Sequence, residues 1–345
     1  MKTIIGCLVG LAIGGSALAQ NDVIRWTDGT MTKDVTVTGF TLHEVSFKTR
    51  NNVETRSADR VADLDVEKVK DKFKRAFAAP RSERVDTFLS VADELKSEPF
   101  LSQFGYYEAA QMLLDNQDYS DAFQILDELE KNCPDSGYKP LRFRAKLDYY
   151  LENGQTADFA ALAAKYETAT QVEAYPKGFK LEATYYRVLA RGIAGELSNE
   201  QLRTEMQQIV READPNYPVT ANRAKTRIAD ALRLEGKLQE AKQEFEEIVD
   251  GSKTPPSALP AAWLGLAHVY AAMGTPANKE PYRDALLAFL RVYLDDNAPD
   301  GLKAEALFYG AQAASKWGGE SSSFYNRVLR ARLLNHYPDS SWAEK

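Results

Sequence analysis

The sequence predicts a mainly α-helical solenoid of stacked helical hairpins preceded by a small antiparallel β-barrel. Three observations predict it. Apolar and polar residues alternate from Asp22 to Val66 and then take up three- and four-residue spacing that persists to the C-terminus. A helix–turn–helix unit with small and aromatic residues at fixed intervals recurs along that helical part. Chemistry-bearing residues are scarce, with 3 His and 2 Cys in 345 residues, so the recurring residues serve packing rather than catalysis.

The chain opens "MKTIIGCLVGLAIGGSALAQ". Lys2 precedes an apolar run from Ile4 to Ile13, and Ala17-Leu18-Ala19 places small residues ahead of Gln20. This predicts a signal peptide over 1–19, cleaved before Gln20, and a periplasmic or secreted protein. "IIGC" at 4–7 resembles a lipoprotein box, but it would leave an apolar run of two residues ahead of Cys7, so lipidation is not expected. No later stretch approaches the roughly 20 apolar residues of a membrane span. Loss of Cys7 leaves Cys133 alone, without an internal disulfide partner. The formal net charge of -7, more negative by the loss of Lys2, disfavours nucleic acid and anionic membrane surfaces as partners.

Residues 20–66 carry the period of two. "VTVTGF" (35–40), "HEVSFKTR" (43–50) and "VETRSA" (53–58) read as short strands, with Asp28-Gly29 and Asn51-Asn52 as turns, enough for four or five strands. Residues 67–99 form linking helices. "VEKVKDKFKRAF" (66–77) puts Val66, Val69 and Phe73 on one face and Lys68, Lys70, Lys72 and Lys74 largely on the other, a solvated face. Pro80 ends that helix. A second starts near Ser82 as N-cap, carries Val85, Phe88, Leu89, Ala92 and Leu95 inward, and stops before Pro99. The polar change of period near Val66 predicts that the strand module and the helical array separate on limited proteolysis.

Residues 100–345 hold about six degenerate hairpins. In "GYYEAAQMLLDNQDYSDAFQILDELEKNCPDS" (105–136), Tyr106, Ala109, Ala110 and Leu113 mark one helix, Asn116-Gln117-Asp118 the turn, and Tyr119, Ala122, Leu126 and Leu129 the second helix. Ala110 and Ala122 are small so that two helix axes can approach to about 8–10 Å. The unit returns at 144–166, 222–250, 261–274 and 305–319, while 173–218 is helical but matches poorly. First helices near Tyr106, Phe143, Thr184, Lys225, Trp263 and Leu307 are spaced by about 37–44 residues, longer than the usual repeat of about 34.

These hairpins resemble the tetratricopeptide repeat (TPR), with Ala229, Leu232, Gly236, Leu238, Ala241, Phe245 and Ile248 at the family's intervals in the best copy. The N-terminal segment "DVIRWTDGT…VTVTGFTLHEVSFKT…DRVADLDV" resembles the SH3-like or Sm-like barrels that open some secreted bacterial repeat proteins. Together the resemblances imply a TPR-like α-solenoid whose first helices line a concave groove for a protein or peptide.

No catalytic, cofactor or metal site is expected. His43, His268 and His336 lie in separate modules without zinc spacing. "DDNAPDG" (295–301) fails as a calcium loop because Ala298 and Leu307 stand where oxygen ligands belong. "GGESSS" (318–323) reads as a turn, and Cys133 as a helix-end residue beside Pro134. The candidate groove residues are Tyr107, Gln111, Arg144, Asp148, Arg223, Asp230, Arg233 and His268. Their mixed signs argue against the clamp with which some TPR proteins grip a C-terminal carboxylate, although Arg223, Arg227 and Arg233 make one hairpin locally basic and able to meet an acidic segment. The pairs Tyr106-Tyr107, Tyr149-Tyr150, Tyr185-Tyr186 and Phe308-Tyr309 either pack between helices or expose one member as an aromatic ladder for peptide or glycan. The expected function is a noncatalytic extracytoplasmic scaffold. An envelope-assembly or chaperone-like subunit, which the ending "YPDSSWA" resembles, and a glycan-binding protein are the alternatives.

Overall fold

The structure, a computed structural model, describes residues 22–345 except 51, 253 and 339, so the expected signal peptide and its cleavage site lie outside the described residues. Five strands come first: β1 (Asp22–Trp26), β2 (Met31–Phe40), β3 (Glu44–Lys48), β4 (Val53–Ser57) and β5 (Val61–Asp65). They pair antiparallel in the order β4-β3-β2-β1-β5. Alternation works as read: Ile24, Trp26, Val35, Val37, Val45 and Phe47 are buried.

The expected barrel is not formed; the sheet is open, with β4 and β5 as its two edges. A bulge in β2 between Val37 and Gly39 bends the sheet without bringing the edges together. β4 has no fully buried residue, so no apolar side chain draws it across to β5. The three-residue turn between them instead points outward to the helices. Asp59 Oδ2 accepts from Gly178 N–H at 2.5 Å, and Arg60 Nη1 donates to Asn216 Oδ1 at 2.8 Å.

Helices cover the apolar face that a closed barrel would have kept to itself. The linking helices are α1 (Glu67–Lys72), α2 (Lys74–Ala78) and α3 (Arg81–Glu94). The single helix expected over 66–77 breaks at Phe73, and α3 begins at Arg81 behind Pro80, so Ser82 lies within the helix rather than capping it. Asp22 joins the modules, its carboxylate accepting from Val37 N–H at 2.7 Å and from Glu67 N–H at 2.8 Å.

Six hairpins follow: α4 (Pro99–Asp115) with α5 (Tyr119–Asn132), α6 (Lys139–Glu152) with α7 (Thr156–Val172), α8 (Lys177–Ile193) with α9 (Asn199–Ala213), α10 (Pro218–Leu234) with α11 (Leu238–Val249), α12 (Leu259–Met273) with α13 (Glu280–Leu294), and α14 (Asp300–Trp317) with α15 (Ser322–His336). Each expected first-helix position falls inside α4, α6, α8, α10, α12 or α14. The poorly matching 173–218 region is an ordinary hairpin whose second helix starts with a capping box, Ser198 and Gln201 exchanging side-chain and backbone hydrogen bonds. First helices also approach one another between hairpins (α8 and α10, α10 and α12, α12 and α14), which puts them on the inner side of the curved array.

Small residues set the helix approaches. Ala110 and Ala122 are fully buried between α4 and α5. At Gly105 a Cβ would stand 2.6 Å from Phe73 Cε1 and 2.8 Å from the Phe88 carbonyl, so only glycine lets α4 lie against α3 and the Phe73 ring. Ala122→Leu should therefore cost roughly 1–3 kcal/mol by overpacking, read by urea denaturation; an unchanged midpoint would place the α4–α5 contact elsewhere.

One apolar core runs without a break from Ile24 in β1 to the α10–α12 region, and a second lies beneath α12–α15. The sheet docks on the array through Leu42 N–H to Asp135 O at 2.8 Å, Gln103 Nε2 to Phe40 O at 2.9 Å, and Phe40 edge-on to Tyr138 with ring centroids 5.0 Å apart. The period changes at Val66, but the packing crosses it. Limited proteolysis is accordingly expected to leave the sheet bound to the helices even if a loop is nicked, and release of a soluble fragment starting between residues 60 and 100 would contradict this docking.

Candidate functional site

Helical spacing places residues of α6, α8 and α10 in one inward-facing stripe, and the hairpin stacking brings the three stripes side by side. Arg144 on α6 grips Glu182 on α8 with two hydrogen bonds, Nε to Oε1 at 2.7 Å and Nη2 to Oε2 at 3.0 Å. The Tyr166 hydroxyl, from α7, donates to the same carboxylate at 3.1 Å. One register position further along, the Tyr186 hydroxyl donates to Asp148 Oδ1 at 2.7 Å while Arg223 on α10 donates to that hydroxyl at 2.5 Å and to Asp148 Oδ2 at 3.2 Å. Arg227 Nε donates to the Tyr185 hydroxyl at 3.3 Å. The result is a polar lattice that laces three consecutive hairpins together.

Its electrostatics follow from burial and pairing. Burial pushes the Glu182 carboxyl up, but Arg144, helped by Arg223 and Tyr166, outweighs it and holds the carboxyl below its ordinary value. Glu182 reciprocates by raising the Arg144 guanidinium further. For Arg223 burial opposes the charge and Asp148 with the two tyrosines restores it, so this guanidinium too is raised.

Of the predicted groove residues, Arg144, Asp148 and Arg223 are thus joined in the lattice. Asp230 lies on the same face of α10 and is shared by Arg227 Nη1 at 3.5 Å and Arg233 Nε at 3.3 Å. Tyr107 stacks on Tyr138, with centroids 4.0 Å apart and planes 15° from parallel; burial first, then Glu108 and Asp63 of β5, push its phenol up to about 12. Gln111, one turn along α4, is half-buried. His268 is a packed residue, its Nε2 2.9 Å from Glu305 Oε1 and its ring edge-on to Phe289 and Tyr309.

The aromatic pairs resolve in favour of packing. Tyr106, Tyr185 and Tyr186 are buried, and Tyr107, Tyr149, Tyr150, Phe308 and Tyr309 are half-buried, so no pair presents a fully exposed ring. Cys133 is buried at the C-terminal end of α5, where burial raises its thiol. Among the described residues no group of three or more His, Cys, Asp or Glu is placed to hold a metal ion, and no helix is long and apolar enough to cross a membrane.

The sequence reading missed Glu182 and Tyr166, and named Tyr186 only as a member of an aromatic pair, not as a hydrogen-bonding member of the lattice. Their signal was the spacing of Glu182 and Tyr186, four residues apart on one helix face, inside the stretch whose repeat match is poor. It also missed how the array coils back on itself. Gln117, in the turn after α4, hydrogen-bonds Asp300 at the start of α14, and a Cβ at Gly301 would stand 3.4 Å from Glu152 Oε2 at the end of α6. The last hairpin therefore touches the first two.

Glu152 sits at that contact. Although the residue keeps solvent exposure, burial pushes its carboxyl up to about 7, with Asp148 and Asp300 adding and Arg223 opposing. A carboxyl whose folded value lies above its unfolded one favours the fold while protonated. That contribution is full below about pH 4.5 and is lost as pH rises toward about 7. Glu152→Gln should therefore melt higher than the parent chain at pH 8 and equal to it near pH 4.5; an equal gap at both pH values would refute the assignment.

No protein-family model matches the chain, and no curated protein matches it. Among solved structures it is similar to NprR in complex with its cognate peptide NprX, at 15% identity and a TM-score of 0.49, covering 80% of each chain. It is also similar to a tetratricopeptide repeat protein from Parabacteroides merdae, at 11% identity and a TM-score of 0.40, covering 76% of this chain and 98% of that one.

Proposed function

We propose that the protein is a noncatalytic scaffold that binds an extended peptide or protein segment along the inner face of its first helices, outside the cytoplasm as its leader-like N-terminus predicts. The observation that carries the reading is the lattice of Arg144, Glu182, Asp148, Tyr186 and Arg223. It fixes side chains of three hairpins before any partner arrives, and a preformed polar face lowers the ordering cost of binding. Half-buried Tyr107 and Gln111 continue that face onto α4. An extended chain has unpaired backbone groups and alternating side chains, and the hydroxyls, guanidiniums and carboxylates of the inner face offer partners to both.

The test is capture from an envelope extract, followed by protease treatment of the complexes and mass spectrometry of what survives. The reading expects one short protected segment of a partner polypeptide. Protection of an entire folded domain would favour an assembly subunit working through its outer surface, and a glycan with no protected peptide would refute the proposal.

A further inference from the structure

Resting on the peptide-binding reading, we propose that the α10 stretch of the inner face is an acceptor for side-chain carboxylates of an acidic extended peptide, held by Arg227 and Arg233. The pairing is lopsided there. On α6, α8 and α10 the inner stripe carries Arg144, Arg223, Arg227 and Arg233 against Asp148, Glu152, Glu182 and Asp230, with Glu152 at the α6 end beside Asp148 and Arg223. Among the arginines, Arg144 alone holds Glu182, in two-point contact, and Arg223 alone holds Asp148. Arg227 and Arg233 are left to share Asp230, each touching one oxygen at the long end of the hydrogen-bond range.

A guanidinium has five N–H donors in a planar fork suited to a carboxylate. Among the described residues, both terminal nitrogens of Arg233 and Nη2 of Arg227 make no hydrogen bond. The two side chains keep 31% and 27% of their surface, so a ligand can reach those donors. Tyr185 and Asp230 hold the Arg227 guanidinium above its ordinary value against burial, and Arg223, one turn away, opposes them weakly. Of the acids on neighbouring elements, Glu305 on α14 is engaged with His268 and Glu182 with Arg144 and Tyr166, while Glu152 at the end of α6 is opposed by Asp148 and Asp300 and drawn to Arg223. Burial and Glu305 raise the Tyr309 phenol of α14, and Arg233 opposes them. In a chain of net charge -7, two guanidiniums sharing the single carboxylate of Asp230 make a cationic surplus confined to this part of α10.

The experiment uses the full chain and fluorescein-labelled nonapeptide pools whose central positions are fixed as Asp/Glu, Asn/Gln or Lys/Arg, each with a free and an amidated C-terminus, read by fluorescence anisotropy. The acidic pool should bind about tenfold or more tighter than the amide pool, with C-terminal amidation making no difference. Arg227→Gln with Arg233→Gln should abolish that preference, and Asp230→Asn, which frees both guanidiniums, should strengthen it. These opposite directions separate recognition from mere loss of folding, and Asp230→Asn decides alone if the double variant does not melt cooperatively. Equal binding of acidic and amide pools would overturn the carboxylate site while leaving the peptide reading standing. A preference that needs a free C-terminus, or that survives both arginine replacements, would also overturn it. If no pool binds, the peptide reading falls and the site with it.

Discussion

Phe245→Ala should destabilise the chain by about 3–5 kcal/mol, the largest loss expected from a single replacement in the array. Phe245 is fully buried on α11, and its ring lies so close against Gly265 of α12 that any Cβ there would fall inside it. Removing the ring opens a cavity at the joint between the fourth and fifth hairpins, which neighbouring backbones held by their own hydrogen bonds cannot fill. Urea denaturation followed by far-ultraviolet circular dichroism measures the loss. A cost below about 1 kcal/mol would show that the joint collapses freely and that the hairpins do not depend on that contact.

Glu182→Ala is the second large effect, expected at about 3 kcal/mol. The carboxylate is buried and receives Arg144 and Tyr166; without it a guanidinium on the inner face and a buried hydroxyl from α7 are left with no acceptor. Because Arg144 retains 40% of its side-chain surface, the loss falls at the lower end for a broken ion pair. Glu182→Gln keeps one acceptor oxygen and should recover part of the difference. The pH dependence has a definite sign. The carboxyl is held below its ordinary value of 4.5, so its contribution is present above that pH and fades as pH falls through the folded value. The gap between parent and variant should be full at pH 7 and shrink on acidification.

How much of this was legible in the residues differs by element. The six hairpins could be read because their joints need small residues at fixed intervals: Ala110, Ala122, Ala229 and Ala241 are all fully buried where the spacing put them. The strands could be read for the same kind of reason, since alternation fixes which side chains turn inward. Alternation says nothing about whether two edges meet, and so the open sheet, with its exposed β4 and its outward-turned Asp59 and Arg60, was expected as a barrel. For the groove, the inner positions of Arg144, Asp148 and Arg223 follow from helical spacing. Their partners do not, because Glu182 lies 38 residues from Arg144 in a hairpin of weak pattern. The coil-back of Gln117 onto Asp300, across 183 residues, depends on the summed tilt of every intervening hairpin and leaves no local trace.

That the inner face is the binding surface can be tested by photocrosslinking. Benzoylphenylalanine placed at Gln111, half-buried on the inner helix α4, is compared with the same group at Gln124, exposed on the outer helix α5. With the acidic peptide pool present, irradiation should give a peptide adduct at position 111, competed away by unlabelled pool, and none at position 124. Adducts at position 124 that compete equally well, with none at position 111, would place binding on the outer face and contradict the account.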